Sequence, residues 1–404
     1  MKRTLWLFFS FAAGVFAQAA SPAAAQPAQR LENLLRDMLI LDTHIDTPGY
    51  IVDEGYQLAE QHSYYEADIP RLKRGHVGAV FFGIYQQADA PQQVWLSRAL
   101  EYVDALREEV RRNPRDMEMA STADDIVRIH ATGKVAALLG LEGGQLILDS
   151  MRLLRDYYRL GVRYMTLTHF KTNNWADSSG DLAVHNGLTP YGREIVREMN
   201  RLGMMVDISH VSDKTFYDAL EITRAPVIAS HSSMRAIVDI PRNMNDDMLR
   251  ALARNGGVVF INFNTAYLDP KASAAFTGFS AKRDREIADM LALNPGNARR
   301  WELKRAIQQR YQAQLPKVTI AAALQHIDHA VKLIGAEHVG IGSDFDGISG
   351  MAPVGMEDVS HYPDLARGLI DMGYSDADIR KIMGQNLLRV MRASEAVAQQ
   401  MAAQ

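Results

Sequence analysis

Met38-Leu39-Ile40-Leu41 is an apolar run that leads directly into Asp42-Thr43-His44-Ile45-Asp46. A short run of this kind, bounded by polar residues, reads as a buried strand. Residues two apart on an extended chain point to the same side. His44 and Asp46 can therefore face one point and grip one ion.

The pattern recurs along the chain. Seven further apolar runs read as strands, at residues 79–85, 135–141, 164–167, 204–208, 227–229, 257–263 and 339–342. Amphipathic spacing marks helices at 98–112, 151–160, 189–201, 212–221, 246–255 and 320–334. Strand–helix alternation with both sheet faces covered gives a parallel sheet. Eight repeats predict an α/β fold, a TIM-like (β/α)8 barrel, with a helical insertion at 265–316 after the seventh strand.

Polar, metal-capable side chains follow six of the strands. They are Asp42-Thr43-His44-Ile45-Asp46, Glu142 before Gly143-Gly144, Thr168-His169, Ser209-His210, Ser230-His231 and Ser343-Asp344-Phe345-Asp346-Gly347. In a barrel these ends converge on one face, where active sites are built. A buried carboxylate such as Glu142 is costly unless it is paired or metal-bound. His210 and His231 belong to successive strand ends and can hold a second ion, with Glu142 bridging both. Three histidines, one aspartate and one glutamate suit zinc or a similar divalent ion. His169 is open to substrate binding, and Asp344 to metal ligation, proton carriage or both. Asp346 reads as a cap of the next turn. Arg242, in Ile240-Pro241-Arg242-Asn243, can clamp a substrate carboxylate bidentately. His326 and His329 lie on a helix without a partner cluster and read as packing or surface residues.

Composition narrows the classes. The 404 residues carry 44 Lys+Arg against 48 Asp+Glu, a formal charge of -4, which excludes a strongly basic nucleic-acid binder. With no cysteine, disulfides, Cys-ligated zinc and thiol nucleophiles are excluded. Lys2 and Arg3, a 12-residue apolar stretch at 5–16 and Ala17-Gln18-Ala19 form a secretory signal pattern. The expected layout is a signal peptide at 1–19, a flexible leader at 20–30, the barrel domain at 31–394 and a C-terminal tail at 395–404. The expected location is a bacterial periplasm or exterior, without a stable membrane anchor.

The strand-end motifs, together with Asp68-Ile69-Pro70-Arg71, Asn174-Trp175-Ala176-Asp177, Pro241-Arg242-Asn243 and Asn386-Leu387-Leu388-Arg389-Val390, resemble the membrane (renal) dipeptidase family of zinc metallopeptidases. The resemblance runs from about Leu31 to Ser394. It implies an amidohydrolase-like barrel with two zinc ions, one on His44, Asp46 and Glu142, the other on Glu142, His210 and His231. His169, Arg242 and Asp344 match the family's substrate-binding positions. The chemistry implied is hydrolysis by a metal-activated water, with Asp344 moving the proton and His169 steadying the oxyanion. The substrates implied are dipeptides, including those ending in a D-residue, and a homodimer is expected on the same ground. Two departures stand out: the family's animal members carry cysteines and a lipid anchor, neither of which is expected here, and 265–316 is longer than the family's usual segment. The alternatives are an amidohydrolase acting on N-acyl amino acids or β-lactams, and a periplasmic binding protein without turnover.

Overall fold

The computed structural model describes residues 22–86, 90–294 and 299–404. The expected signal segment lies outside them. Among the described residues, no helix is long and apolar enough to cross a membrane.

The described residues form nine strands: β1 (Ile40–Ile45), β2 (Val77–Tyr85), β3 (Met117–Met119), β4 (Val135–Glu142), β5 (Val162–Thr166), β6 (Met205–Asp207), β7 (Ile228–Ser232), β8 (Val258–Ile261) and β9 (Val339–Ile341). All pairings are parallel, in the order β1-β2-β4-β5-β6-β7-β8-β9. The ring closes between its ends through a bridge of Ile45 to Phe345, with the Asp344 amide donating to His44 O at 3.0 Å and the Asp46 amide to Phe345 O at 2.9 Å. The result is the expected (β/α)8 barrel. β3 is the addition: it pairs with Val135–Ala137 of β4, below Leu139 where β5 joins. Its Met-Glu-Met sequence carries a charge and is only three residues long, which hid it from an apolar-run reading.

Alternation along the strands separates two cores. Phe81, Leu138, Tyr164, Met205, Ile228, Val258 and Phe260 pack together with Leu387, Val390 and Met391 of the C-terminal helix. Val80, Phe82, Leu139, Leu141, Val206 and Val259 face the surrounding helices instead.

The first strand differs from its sequence reading in a telling way. It runs from Ile40 through Ile45, so Asp42, Thr43 and His44 lie within it and are fully buried. β7 likewise includes Ser230, His231 and Ser232. Asp42 and Thr43 are satisfied inside the barrel: Asp42 accepts from the amides of His44 and Ser343, both at 3.0 Å, and Thr43 donates to Ser230 O at 2.5 Å.

Two ends of the chain also correct the expected layout. A helix spans Pro22–Leu35, across most of the expected leader, since Ala and Gln favour helix over flexibility. Residues 395–402 continue the helix Asn386–Ala402 rather than forming a tail, with Ser394 buried. After β8 come Thr265–Leu268, Pro270–Leu293 and Arg300–Gln312, the last two forming a helical hairpin. Phe279 packs on Tyr311 at 5.2 Å, and Glu286 pairs with Arg310. The turn expected at 294–296 falls largely outside the described residues.

Candidate active site

His44 lies in β1, Glu142 ends β4 and His231 lies in β7, while His169, His210 and Asp344 sit in the turns that leave β5, β6 and β9. Their functional atoms meet on the barrel axis. Glu142 Oε1 is 3.1 Å from His210 Nε2, 3.2 Å from His231 Nε2 and 3.6 Å from His169 Nε2. Its other oxygen, Oε2, is 3.5 Å from His44 Nε2, which is 3.2 Å from Asp46 Oδ1. His210 Nε2 and His231 Nε2 are 2.9 Å apart. Three overlapping groups could each hold an ion: His44 with Asp46 and Glu142, Glu142 with His169 and His210, and His44 with His231 and Asp344.

The donor set fits a divalent metal. His44 Nε2 and Asp46 Oδ1 are buried without a hydrogen-bond partner, which is costly unless a ligand takes their lone pairs. Nitrogen and carboxylate donors suit zinc and its neighbours. Space is reserved for them: a Cβ on Gly83 would strike Asp46 Oδ1.

Surrounding groups fix the imidazoles. Tyr164 Oη is 2.6 Å from His44 Nδ1 and donates to Thr43 O at 3.0 Å. With its proton spent on Thr43, the hydroxyl accepts from His44 Nδ1–H, leaving Nε2 as the free lone pair. Ser230 Oγ does the same for His231: it donates to Asp207 Oδ2 at 2.6 Å and lies 2.7 Å from His231 Nδ1. Asp207 is held in turn by Thr166 Oγ1 at 2.5 Å and the Ser209 amide at 3.0 Å. Such outer partners orient metal-binding histidines.

The electrostatics favour a bound cation. Burial alone would raise the Glu142 carboxyl, but His169, His44, His210 and His231 hold it well below the usual range. Burial pushes His210 and His231 well below the usual histidine range. Burial opposes charge on His44 as well, yet Tyr164, Glu142 and Asp46 beside it hold it well above that range. Burial raises Asp344 well above the usual carboxylate range. One of its oxygens, Oδ2, accepts from Asn262 Nδ2 at 2.8 Å.

Arg242 donates to Ser232 Oγ at 2.9 Å and to His231 O at 2.6 Å, and its guanidinium stands 5.6 Å from the Tyr267 ring centroid. Its Nε has no partner. Asp346 does not cap the following turn. It accepts from the Glu66 amide at 2.6 Å and from Thr47 Oγ1, and its own amide donates to Glu66 Oε2 at 2.7 Å. His326 is fully buried between Met234 N and Leu268 O, and His329 pairs with Asp246 at 2.8 Å, as packing residues would.

A cavity of about 800 Å³ opens above the cluster. Asp46, Glu142, His169, His210 and Asp344 form part of its lining, with Tyr50, Tyr85, Phe170 and Tyr267 beside them. The helical hairpin contributes Phe276, Arg283, Ile287, Lys304 and Gln308. The sequence pattern does not mark Tyr164, Asp207, Ser230, Asn262 or Tyr267 as functional. Tyr164 opens an apolar run and reads as core. Asp207 falls inside an apolar run, and Ser230 reads only as the neighbour of His231.

A parallel barrel with a buried His/Asp/Glu cluster at the C-terminal ends of its strands has the architecture of a metal-dependent hydrolase. The sequence profile described as "Membrane dipeptidase (Peptidase family M19)" matches residues 28–404. An uncharacterized dipeptidase of Schizosaccharomyces pombe is 37% identical over 395 residues, covering 92% of this chain and 84% of that protein. Dipeptidase 3 of Macaca fascicularis is 32% identical, covering 93% and 69%. The crystal structure of the probable dipeptidase PvdM from Pseudomonas aeruginosa superposes with a TM-score of 0.80 at 28% identity, covering 93% of this chain and all of that one. The chain belongs to the membrane dipeptidase family and is a metallopeptidase of dipeptidase type.

Proposed function

We propose that the protein is an exported, binuclear zinc dipeptidase. The observation that carries this reading is Glu142, whose Oε1 faces His210 and His231 while its Oε2 faces His44. One ion would be held by His44, Asp46 and Glu142, and the other by Glu142, His210 and His231. Paired divalent ions supply Lewis acidity and make water a nucleophile at neutral pH.

The remaining roles fall to the chain's own side chains. Arg242 holds the C-terminal carboxylate of the dipeptide, since two of its nitrogens are anchored on Ser232 and His231 while Nε lacks a partner. His169 donates to the carbonyl oxygen of the scissile bond as negative charge develops there. Asp344 takes a proton at Oδ1, the oxygen not engaged by Asn262, and delivers it to the leaving nitrogen. Its raised pKa suits a carboxyl that must hold a proton for part of the cycle. The family resemblance extends the substrate range to C-terminal D-residues and supports a homodimer. The signal pattern at 1–19 supports a periplasmic or extracellular location.

The test combines metal analysis with a substrate panel. Glu142→Ala should lose both ions, and His210→Ala mainly one, by elemental analysis. Asp344→Asn should keep the metals and lose turnover. Dipeptides with an amidated C-terminus should be poor substrates. Undiminished zinc in Glu142→Ala would overturn the bridging assignment, and equal turnover of amidated and free dipeptides would remove Arg242 from its role.

A further inference from the structure

The helical hairpin brings two cations to the cavity that the proposed chemistry does not use, Arg283, which is paired with the adjacent Asp284, and Lys304. Lys304, on the helix Arg300–Gln312, lines the cavity with Gln308 one turn further along the same face. Its ammonium lies 5.3 Å from the ring centroids of both Tyr50 and Trp301. The nearest carboxylate oxygen is Glu54 Oε1, at 4.0 Å.

The acids around it are already committed. Glu54 accepts from Arg305 at 2.7 Å and from the Tyr65 hydroxyl. Asp53 is paired with Arg98, and Asp284 with Arg283 at 2.8 Å. The carboxylate nearest Lys304 is thus shared with Arg305, and Lys304 is the more weakly paired of the two cations. Gln308 is buried and presents its amide to the same cavity. Burial lowers the Lys304 pKa, which means that its ammonium is poorly solvated and that an arriving anion would restore lost stabilisation.

The placement says which end of the substrate would meet it. Arg242 and Tyr267 stand on the β7–β8 side of the site and take the C-terminal carboxylate. Lys304 rests on Tyr50, which belongs to the helix Thr47–Glu54 that follows β1. With the scissile carbonyl over the Glu142 cluster, the first residue of a dipeptide extends away from Arg242 and towards this wall. We propose that Lys304 and Gln308 form a subsite for a carboxylate side chain on that first residue, so that dipeptides beginning with Glu or Asp are the favoured class. This rests on the dipeptidase reading above.

The experiment compares Glu-Ala with its neutral isostere Gln-Ala on zinc-loaded protein. In the wild type, kcat/KM should favour Glu-Ala by about tenfold, the scale of a partly desolvated ion pair. In Lys304→Met the ratio should fall to about one, and in Lys304→Arg most of the preference should return. A wild-type ratio of one or below would overturn the assignment without any variant having to fold. So would a preference that survives Lys304→Met. Turnover of neither dipeptide would overturn the dipeptidase reading itself, and the subsite with it.

Discussion

Replacing Tyr164 by Phe would remove one oxygen from the middle of the barrel and leave the ring in place. That ring is fully buried and packs against Phe81 at 5.2 Å. It occupies space left by Gly140, where a Cβ would collide with it. The oxygen makes two contacts, at 2.6 Å to His44 Nδ1 and at 3.0 Å to Thr43 O. Both partners are buried, so both would be left unpaired, at about 1–3 kcal/mol each. The imidazole would also lose the acceptor that fixes its tautomer. Loss of such an outer partner typically costs about 10–100-fold in metal affinity, or about 1.4–2.8 kcal/mol. On the two-ion reading proposed above, the loss should be confined to the ion assigned to His44, because His231 is oriented independently through Ser230 and Asp207. Chelator competition on Tyr164→Phe should therefore show one weakened and one near-native ion, and metal-free protein should unfold at lower denaturant. Two native-affinity ions in a correctly folded Tyr164→Phe would refute the argument that this hydroxyl sets the His44 tautomer.

Two further outcomes are expected. Replacing residues 273–313 by a short Gly-Ser link should open the cavity, slow dipeptide turnover and improve tripeptides relative to dipeptides, because the hairpin supplies part of its lining; an unchanged size preference in a folded, zinc-loaded variant would remove the hairpin from substrate selection. His326 offers a pH test of the scaffold. Burial depresses its imidazole to about 4, against an ordinary value near 6.5. The unfolded chain therefore binds a proton that the folded chain refuses, so this contribution is complete above pH 6.5 and is lost as pH falls towards 4. The loss amounts to about 3 kcal/mol. Denaturant titrations of wild type and His326→Gln should differ in their pH slope across that window, and parallel slopes would refute it.

Much of this architecture was legible because barrel geometry and site chemistry write on the same residues. Each apolar run that ended in a histidine or carboxylate marked both a strand and its active end, and the structure brings His44, Asp46, Glu142, His169, His210, His231 and Asp344 into one cluster. Strand boundaries were less legible. The apolar criterion stopped the first strand at Leu41, but β1 continues to Ile45 because Asp42 and Thr43 are satisfied inside the barrel. Outer partners were illegible for the opposite reason. Tyr164 is as apolar in pattern as Phe81 beside it, and only its hydroxyl contact with His44 distinguishes it. Lys304 and Gln308 sit in a charged helix whose sequence reads as solvated surface. Their meaning depends on which face turns towards the cavity.

The backbone at the site explains why these residue types stand in the turns as well as why they bind. His210, Asp344 and Asp346 have φ of 63°, 63° and 67°. Side chains rarely adopt this left-handed region, but His and Asp enter it more readily than most. The conformation costs about 1–3 kcal/mol per residue and persists only where the surroundings enforce it. They do so here. His210 O accepts from the Ser179 amide at 2.8 Å and from Thr168 Oγ1 at 3.0 Å. Asp344 donates its amide to His44 O, and its carbonyl accepts from the amides of Gly347 at 3.1 Å and Ile348 at 3.0 Å. Gly347 completes the fit, because a Cβ there would strike the carboxylates of Asp344 and Asp46. A strand continued in extended geometry would alternate its side chains between the barrel axis and the helices. The left-handed residue breaks that alternation in a single step, and this lets the turns after β6 and β9 aim His210 and Asp344 at the same point that His44 and Glu142 reach from within their strands.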